Sequence, residues 1–133
     1  MSKVWFITGS TRGLGRALVE TALLAGHRVA ATARNPDGLQ DLVKAYGENI
    51  RPISLDVTDE AAAGRAIDQA VETFGRIDVV VNNAGYGNIG SVEDTSLSDF
   101  RQQIETNLFG TIIVTKAAIP ILELPRFDGR VGA

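Results

Sequence analysis

The 133-residue chain has no cysteine and a single histidine, His27. Disulfides and thiolate metal sites are therefore excluded, and the composition suits a reducing, cytoplasmic compartment. Metal-ligand spacing is absent as well. Ser, His and Asp do not cluster as a hydrolase triad requires. Neither sign of charge dominates: 13 Lys and Arg stand against 16 Asp and Glu, a net charge of −3. That balance argues against nucleic acid or an anionic membrane as the main partner. No apolar run reaches the roughly 20 residues of a membrane span. The opening "MSKVWFITGS" is broken too soon by Gly9 to read as a signal peptide. Repeats, charge blocks and low-complexity linkers are missing. What remains is 44% apolar and 22% charged, the make-up of one soluble globular domain. A chain of this size can bury roughly two-thirds of its unfolded surface.

Short β-rich runs alternate with stretches of helical spacing. The runs are "KVWFIT" (3–8), "HRVAATA" (27–33), "IRPISL" (50–55) and "IDVVVN" (77–82). The first helix is expected over Gly13 to Ala25, stopping at Gly26. The second opens at "NPDGL", where Asn35 caps, Pro36 fits the first turn and Asp37 meets the positive helix end. The third opens at "VTDEAAA" with Thr58 as cap and Asp59 and Glu60 in the first turn; the fourth opens at "TSLSDF", with Ser96 and Asp99 spaced as a capping box. Strands alternating with helices imply right-handed parallel crossovers and a sheet covered on both faces. "VWFI" and "VVV" are apolar without interruption, as strands buried on both faces should be. The expected fold is α/β, a doubly wound parallel sheet.

The loop "TGSTRGLG" falls between the first strand and the first helix, where such a sheet places its phosphate site. Gly9, Gly13 and Gly15 allow a tight turn and close backbone approach to a pyrophosphate. The helix beginning near Gly13 offers unpaired N–H groups and a positive dipole end. A glycine-rich turn that merely joins strand to helix is the plain alternative.

This loop resembles the Thr-Gly-x-x-x-Gly-x-Gly loop of the short-chain dehydrogenase/reductase family. "NNAG" at 82–85, "DVT" at 56–58 and Asn107 within "IETNLFG" match that family's further motifs, in order and at the right strand ends. The resemblance covers residues 4–119. It implies an NAD(P)-dependent oxidoreductase that passes hydride between nicotinamide and a small carbonyl or alcohol substrate. It further implies that the stretch Gly9, Ser10, Thr11, Arg12, Gly13, Leu14 and Gly15 holds the pyrophosphate. By the same resemblance Asp56 and Val57 meet the adenine, Asn83, Ala84 and Gly85 line the adenosine ribose, and Asn107 belongs to the active site. The plain alternative for Asp56 is a solvated acid at a strand end.

Charge favours NADP over NAD. An NAD enzyme places an acid about 20 residues past the glycines, whereas Ala33 and Arg34 stand there. An arginine can bind a 2′-phosphate bidentately, and Arg12 could approach it from the other side. Plain solvated surface is the alternative for both.

The family's catalytic residues include a serine after a fifth strand and a Tyr-x-x-x-Lys motif. Only Tyr46 and Tyr86 occur, with Ile50 and Gly90 four residues on. No β-rich run follows Leu124, and "GRVGA" resembles the loop after the catalytic serine, as though a strand had been skipped. His27 reads as a surface or satisfied residue and Lys116 as a helix-face charge. The chain is thus expected to be the truncated, cofactor-binding half of such an enzyme, inactive alone. A non-catalytic NADP-binding or dimerising module, and a product with no selected function, stay open. The family's strand order would be 3-2-1-4, leaving the fourth strand without its usual neighbour. Phe100, Ile104 and Leu108 recur on one side of the fourth helix, and Phe109, Ile113 and Ala117 on the other. A helix apolar on both sides expects burial on both, hence a homo-oligomer. The alternative cover is the tail, through Leu124, Phe127 and Val131.

Overall fold

A computed structural model describes residues 1–122. β1 (Val4–Ile7), β2 (Arg28–Ala33), β3 (Ile50–Ser54) and β4 (Val79–Val81) form one parallel sheet in the order β3-β2-β1-β4. The register pairs Phe6 with Ala30 on one side and with Val80 on the other. The order 3-2-1-4 and all four strands are as the sequence led one to expect.

Side chains alternate across the sheet, so each strand feeds two cores. On one face Val4, Phe6, Ala30 and Ile53 pack with Ala63, Ala66, Ile67, Ala70 and Phe74 of α3 (Glu60–Phe74). The same core takes Val114 and Ala118 of α5 (Gly110–Ala118). On the other face Ile7, Val29 and Ala31 meet Val19, Ala22 and Leu23 of α1 (Gly13–Leu24). Leu42 of α2 (Gln40–Tyr46) closes this second core.

The helix ends follow local chemistry, with one correction. Gly26, at φ +85°, ends α1 by sending its N–H to the Leu23 carbonyl at 3.0 Å. Asn35 caps a 3₁₀ turn over Pro36–Leu39, its Oδ1 accepting from the Asp37 N–H at 3.1 Å, before α2 begins. Ser96 caps α4 (Leu97–Ile104) through the Asp99 N–H at 3.1 Å. Thr58, however, does not cap α3. Its hydroxyl donates to Asp56 Oδ1 at 2.7 Å, and Asp59 takes the cap by accepting from the Ala62 N–H at 3.0 Å. An acid with a free side chain displaces a hydroxyl already engaged.

Two burial expectations also need revision. Val79, Val80 and Val81 are only half-buried, because β4 has no second neighbour among the described residues. The fourth helix is not one helix: a π-turn over Glu105–Phe109 separates α4 from α5. The wider turn shifts the phase of the apolar rows. Phe109 is consequently exposed, while Gly110, Val114 and Ala118 form the buried line and Ile113 and Ala117 pack beside it. Phe100, Ile104 and Leu108 stay outside, each at least 39% exposed. The tail positions Leu124, Phe127 and Val131 lie outside the described residues.

β4 is tied to β1 at its start by Asp78, whose N–H donates to the Val4 carbonyl at 2.9 Å. Its Oδ2 accepts from the Val4 N–H at 2.8 Å. Partial burial opposes ionisation of Asp78, but the Val4 N–H and the Arg76 guanidinium outweigh it and hold the carboxyl below its ordinary value. A depressed carboxyl contributes stability in full above its unfolded-state value of about 4 and loses it as pH falls through the folded value. Asp78→Ala should therefore unfold at lower urea than the parent chain at pH 7, with the gap closing as pH drops below about 4. A gap undiminished in acid would show that Asp78 acts through packing and not through its charge.

Candidate functional site

A cleft of about 1330 Å³ lies along the carboxyl ends of the four strands. Its floor is built by one close approach. Gly9, at φ +66°, turns the chain out of β1, and Gly15 in the first turn of α1 comes back over it. A Cβ on Gly15 would sit 2.0 Å from the Gly9 carbonyl oxygen and 2.4 Å from Asn83 Nδ2. Only glycine fits. Gly13, at φ +58°, faces open space, so the backbone at the helix start can be reached from the cleft. Arg12 is the N-cap residue but its side chain makes no cap hydrogen bond, which leaves the first-turn N–H groups of α1 for another acceptor.

Asn83 locks β4 onto this floor. Its Nδ2 donates to the Thr8 and Gly9 carbonyls at 3.2 and 3.1 Å. The buried Thr8 hydroxyl oxygen accepts from the Asn83 and Ala84 N–H groups at 3.0 and 2.9 Å. Gly85 follows, with Asn107 beside it: a Cβ there would meet Asn107 Oδ1 at 2.8 Å.

The residues singled out in the sequence take different places. Gly9, Thr11, Arg12, Gly13 and Leu14 line the cleft on the glycine-loop side; Arg34, Asp56 and Val57 line it at β2 and β3. Asn83, Ala84 and Gly85 line it at β4. Three others stand apart. Ser10 is fully buried, its hydroxyl donating to the Ile7 carbonyl at 2.8 Å. Gly15 packs against the Gly9 carbonyl and Asn83 and does not line the cleft. Asn107, in the π-turn, spends its amide on the Tyr86 backbone, accepting from its N–H at 2.9 Å and donating to its carbonyl at 2.7 Å. Its neighbours Glu105 and Thr106 line the cleft instead.

The charges in the cleft are uneven. Asp56 Oδ1 accepts from the Thr58 hydroxyl and N–H, and these bonds, with the nearby Arg34 charge, hold its carboxyl below the ordinary range. Among the described residues nothing bonds its Oδ2. Arg12 and Arg34 both face the same space, where Ala33 stands in place of an acid. Outside the cleft, His27 is satisfied at the opposite end of β2, its Nδ1 accepting from the Lys3 N–H at 3.0 Å. Among the described residues no His, Cys, Asp and Glu cluster could hold a metal ion.

Reasoning from sequence missed Thr8. The available signal was its place at the end of an apolar strand, where a buried hydroxyl must find partners. It also missed Tyr86, Asn88 and Gln102, which line the cleft from the loop after β4 and from α4. Nothing in their types or spacing marks them.

A doubly wound sheet with a glycine-walled cleft at its switch point is the architecture in which dinucleotide-binding folds place their ligand. The family model described as short chain dehydrogenase matches residues 3–132, and the chain belongs to that family. It is 48% identical to an oxidoreductase, BOA17, of Botryotinia fuckeliana, covering all of this chain and 52% of that protein. That alignment runs to 143 positions against 133 residues here, so roughly ten residues of the relative have no counterpart. A crystal structure of a short-chain dehydrogenase from Streptomyces avermitilis superposes with a TM-score of 0.86 at 41% identity, over 90% of this chain and 44% of that one. A 3-ketoacyl-(acyl-carrier-protein) reductase from Brucella melitensis, complexed with NADH, superposes at 0.84 with 28% identity, over 90% of this chain and 50% of that one. The chain spans about half the length of the relatives it matches.

Thr8→Val should leave the part-buried Ala84 N–H without an acceptor and the Asn83 N–H with the Val81 carbonyl alone, at a cost of about 1–3 kcal/mol. Thr8→Ser should keep most of the stability. Urea unfolding of the two variants checks this, and equal loss in both would point to the methyl group and not the hydroxyl.

Proposed function

We propose that this chain is the cofactor-binding half of an NADP(H)-dependent oxidoreductase, inactive in carbonyl reduction by itself. The observation that carries the cofactor choice is the pair Arg12 and Arg34 facing one cleft, with Ala33 where an acid would repel a 2′-phosphate. NADH in the Brucella reductase shows that a related cleft takes the other cofactor; here the two arginines favour the phosphorylated one. The cleft fits a dinucleotide. The glycines leave room for a pyrophosphate at the start of α1, Asp56 stays ionised and can accept from the adenine amino group, and Asn83, Ala84 and Gly85 can border the ribose. The bound nicotinamide would supply hydride exchange with a carbonyl or alcohol carbon.

The chain's own residues offer no proton donor in the family's pattern. Tyr46 packs beside the α1–α2 core. Tyr86 lines the cleft, but Gly90, not lysine, stands four residues later. Asn107 is committed to the Tyr86 backbone and would act by shaping the loop after β4. A non-catalytic NADP-binding module that associates with a second copy is the alternative, supported by the exposed Phe100, Ile104 and Leu108 row and the half-buried β4. A cytoplasmic location belongs to the same reading and rests on the cysteine-free composition. Among the described residues no helix is long and apolar enough to cross a membrane.

NADPH should bind at least roughly tenfold more tightly than NADH, the worth of one charge-assisted hydrogen bond. Arg34→Asp should erase that preference. Equal affinities in the parent chain, read by nucleotide fluorescence, would refute the assignment. With a panel of ketones and aldehydes, NADPH oxidation should stay ~10²–10⁴-fold or more below an enzyme with a placed general acid. Rapid turnover by the pure 133-residue chain would overturn the inactivity. Light scattering at tens of micromolar should show a dimer or larger species, and a well-behaved monomer would contradict association.

A further inference from the structure

The corner between β2 and α2 carries Arg34, and it is held at three points. The Arg34 carbonyl accepts from the Ser54 hydroxyl at 3.2 Å. Asn35 Oδ1 accepts from the Asp37 N–H at 3.1 Å. At the far end the Gly38 carbonyl accepts from Arg16 Nη1 at 2.9 Å. The first two bonds keep the turn's shape and tie it to β3. The third comes from α1, the helix that starts at the glycine loop.

Arg16 follows Arg12 by one helical turn, and its N–H reaches the Arg12 carbonyl at 3.3 Å. Its guanidinium makes two further contacts, Nε to Glu20 at 2.9 Å and Nη2 to Asp41 of α2. One planar fork thus joins α1, the 3₁₀ turn and α2. The glycine loop and the corner also lie close together: Thr11 Cγ2 is 3.5 Å from where a Gly38 Cβ would stand. Arg16 is not itself placed to bind an anion. It does not line the cleft, and two carboxylates already neutralise it. Arg12 and Arg34 do line it, one at each end of the span that Arg16 bridges.

We propose that Arg16 is a positioning residue: by clamping the Gly38 carbonyl and Asp41 to α1 it sets the separation of Arg12 and Arg34, and so the chain's discrimination for a 2′-phosphate. This rests on the NADP reading above. The geometry calls for a guanidinium. A lysine keeps the charge but has no rigid fork to serve a carbonyl, a carboxylate and an in-helix partner together.

Adenosine 2′,5′-bisphosphate and 5′-AMP are the probes, because they differ only in the group at issue. Their dissociation constants are measured by calorimetry on the parent 133-residue chain, Arg16→Lys and Asp41→Asn. The preference for the bisphosphate should fall roughly fivefold in Arg16→Lys, with 5′-AMP affinity unchanged. Asp41→Asn should move the same way. Removing a carboxylate would, by charge alone, strengthen binding of the bisphosphate, so a weaker preference separates positioning from electrostatics. Should Arg16→Lys fail to fold, Asp41→Asn decides by itself. A parent chain that prefers the bisphosphate, with the preference intact in the folded variants, overturns this inference and leaves the cofactor reading standing. A parent chain that binds both probes equally overturns the cofactor reading and this inference with it.

Discussion

The contact on which the remaining structure depends is the meeting of Gly9, Gly15 and Asn83 above the carboxyl ends of β1 and β4. With Gly15 placed so that a Cβ would fall 2.0 Å from the Gly9 carbonyl, α1 can start there only if Gly15 is bare, and Gly9 must be bare because its own Cβ would meet Asn83 Nδ2 at 2.8 Å. That approach brings the first turn of α1 onto the end of the sheet, and Asn83 ties the result to β4 through the Thr8 and Gly9 carbonyls. Thr8 completes the lock by accepting two N–H groups at once. Everything proposed about nucleotide binding follows from that floor, since it puts a helix start, two strand ends and an open surface into one cleft.

The polar edges of the cleft are then set by what surrounds it. Asp56 is fixed by Thr58 and kept ionised beside Arg34, while Arg34 and Arg12 hold positive charge where a second acid is lacking. The cleft thus carries cations at β2 and the glycine loop, Asp56 next to the first of them, and Glu105 from the π-turn. In the reading proposed, Asp56 would accept a hydrogen bond from the adenine amino group and the two arginines would neutralise a 2′-phosphate. On the same reading, Arg34 stays within reach of the same phosphate as Arg12 only if the β2–α2 corner stays near α1, and this gives the Arg16 clamp its importance.

The sheet was legible because β1 and β4 are apolar without interruption and its turns carry glycine at positive φ. Gly9, Gly13, Gly26 and Gly75 all adopt that conformation. Most helix caps followed from such local rules, the strand order came from the family resemblance, and eleven of the fourteen residues singled out for the site do line one cleft, which leaves their roles to the binding experiments. What escaped reading was set by tertiary partners. Thr58 looks like a cap until Asp56 claims its hydroxyl. A run from Leu97 to Ala118 looks like one helix, and the π-turn at Glu105–Phe109 has no residue signature. Asn107 follows the family motif, yet its amide bonds the backbone 21 positions earlier. Arg16 drew no reading at all, since its partners Gly38 and Asp41 lie 22 and 25 residues away.

The central claim, that the cleft over the glycine floor holds NADPH, is tested most directly by following backbone amide resonances of the labelled chain as NADPH is added. The amides of residues 9–15, 33–35, 56–58 and 83–86 should shift together with one dissociation constant, while α3 and the amino ends of the strands stay still. Shifts centred elsewhere, or none at saturating NADPH with a folded spectrum, would contradict it.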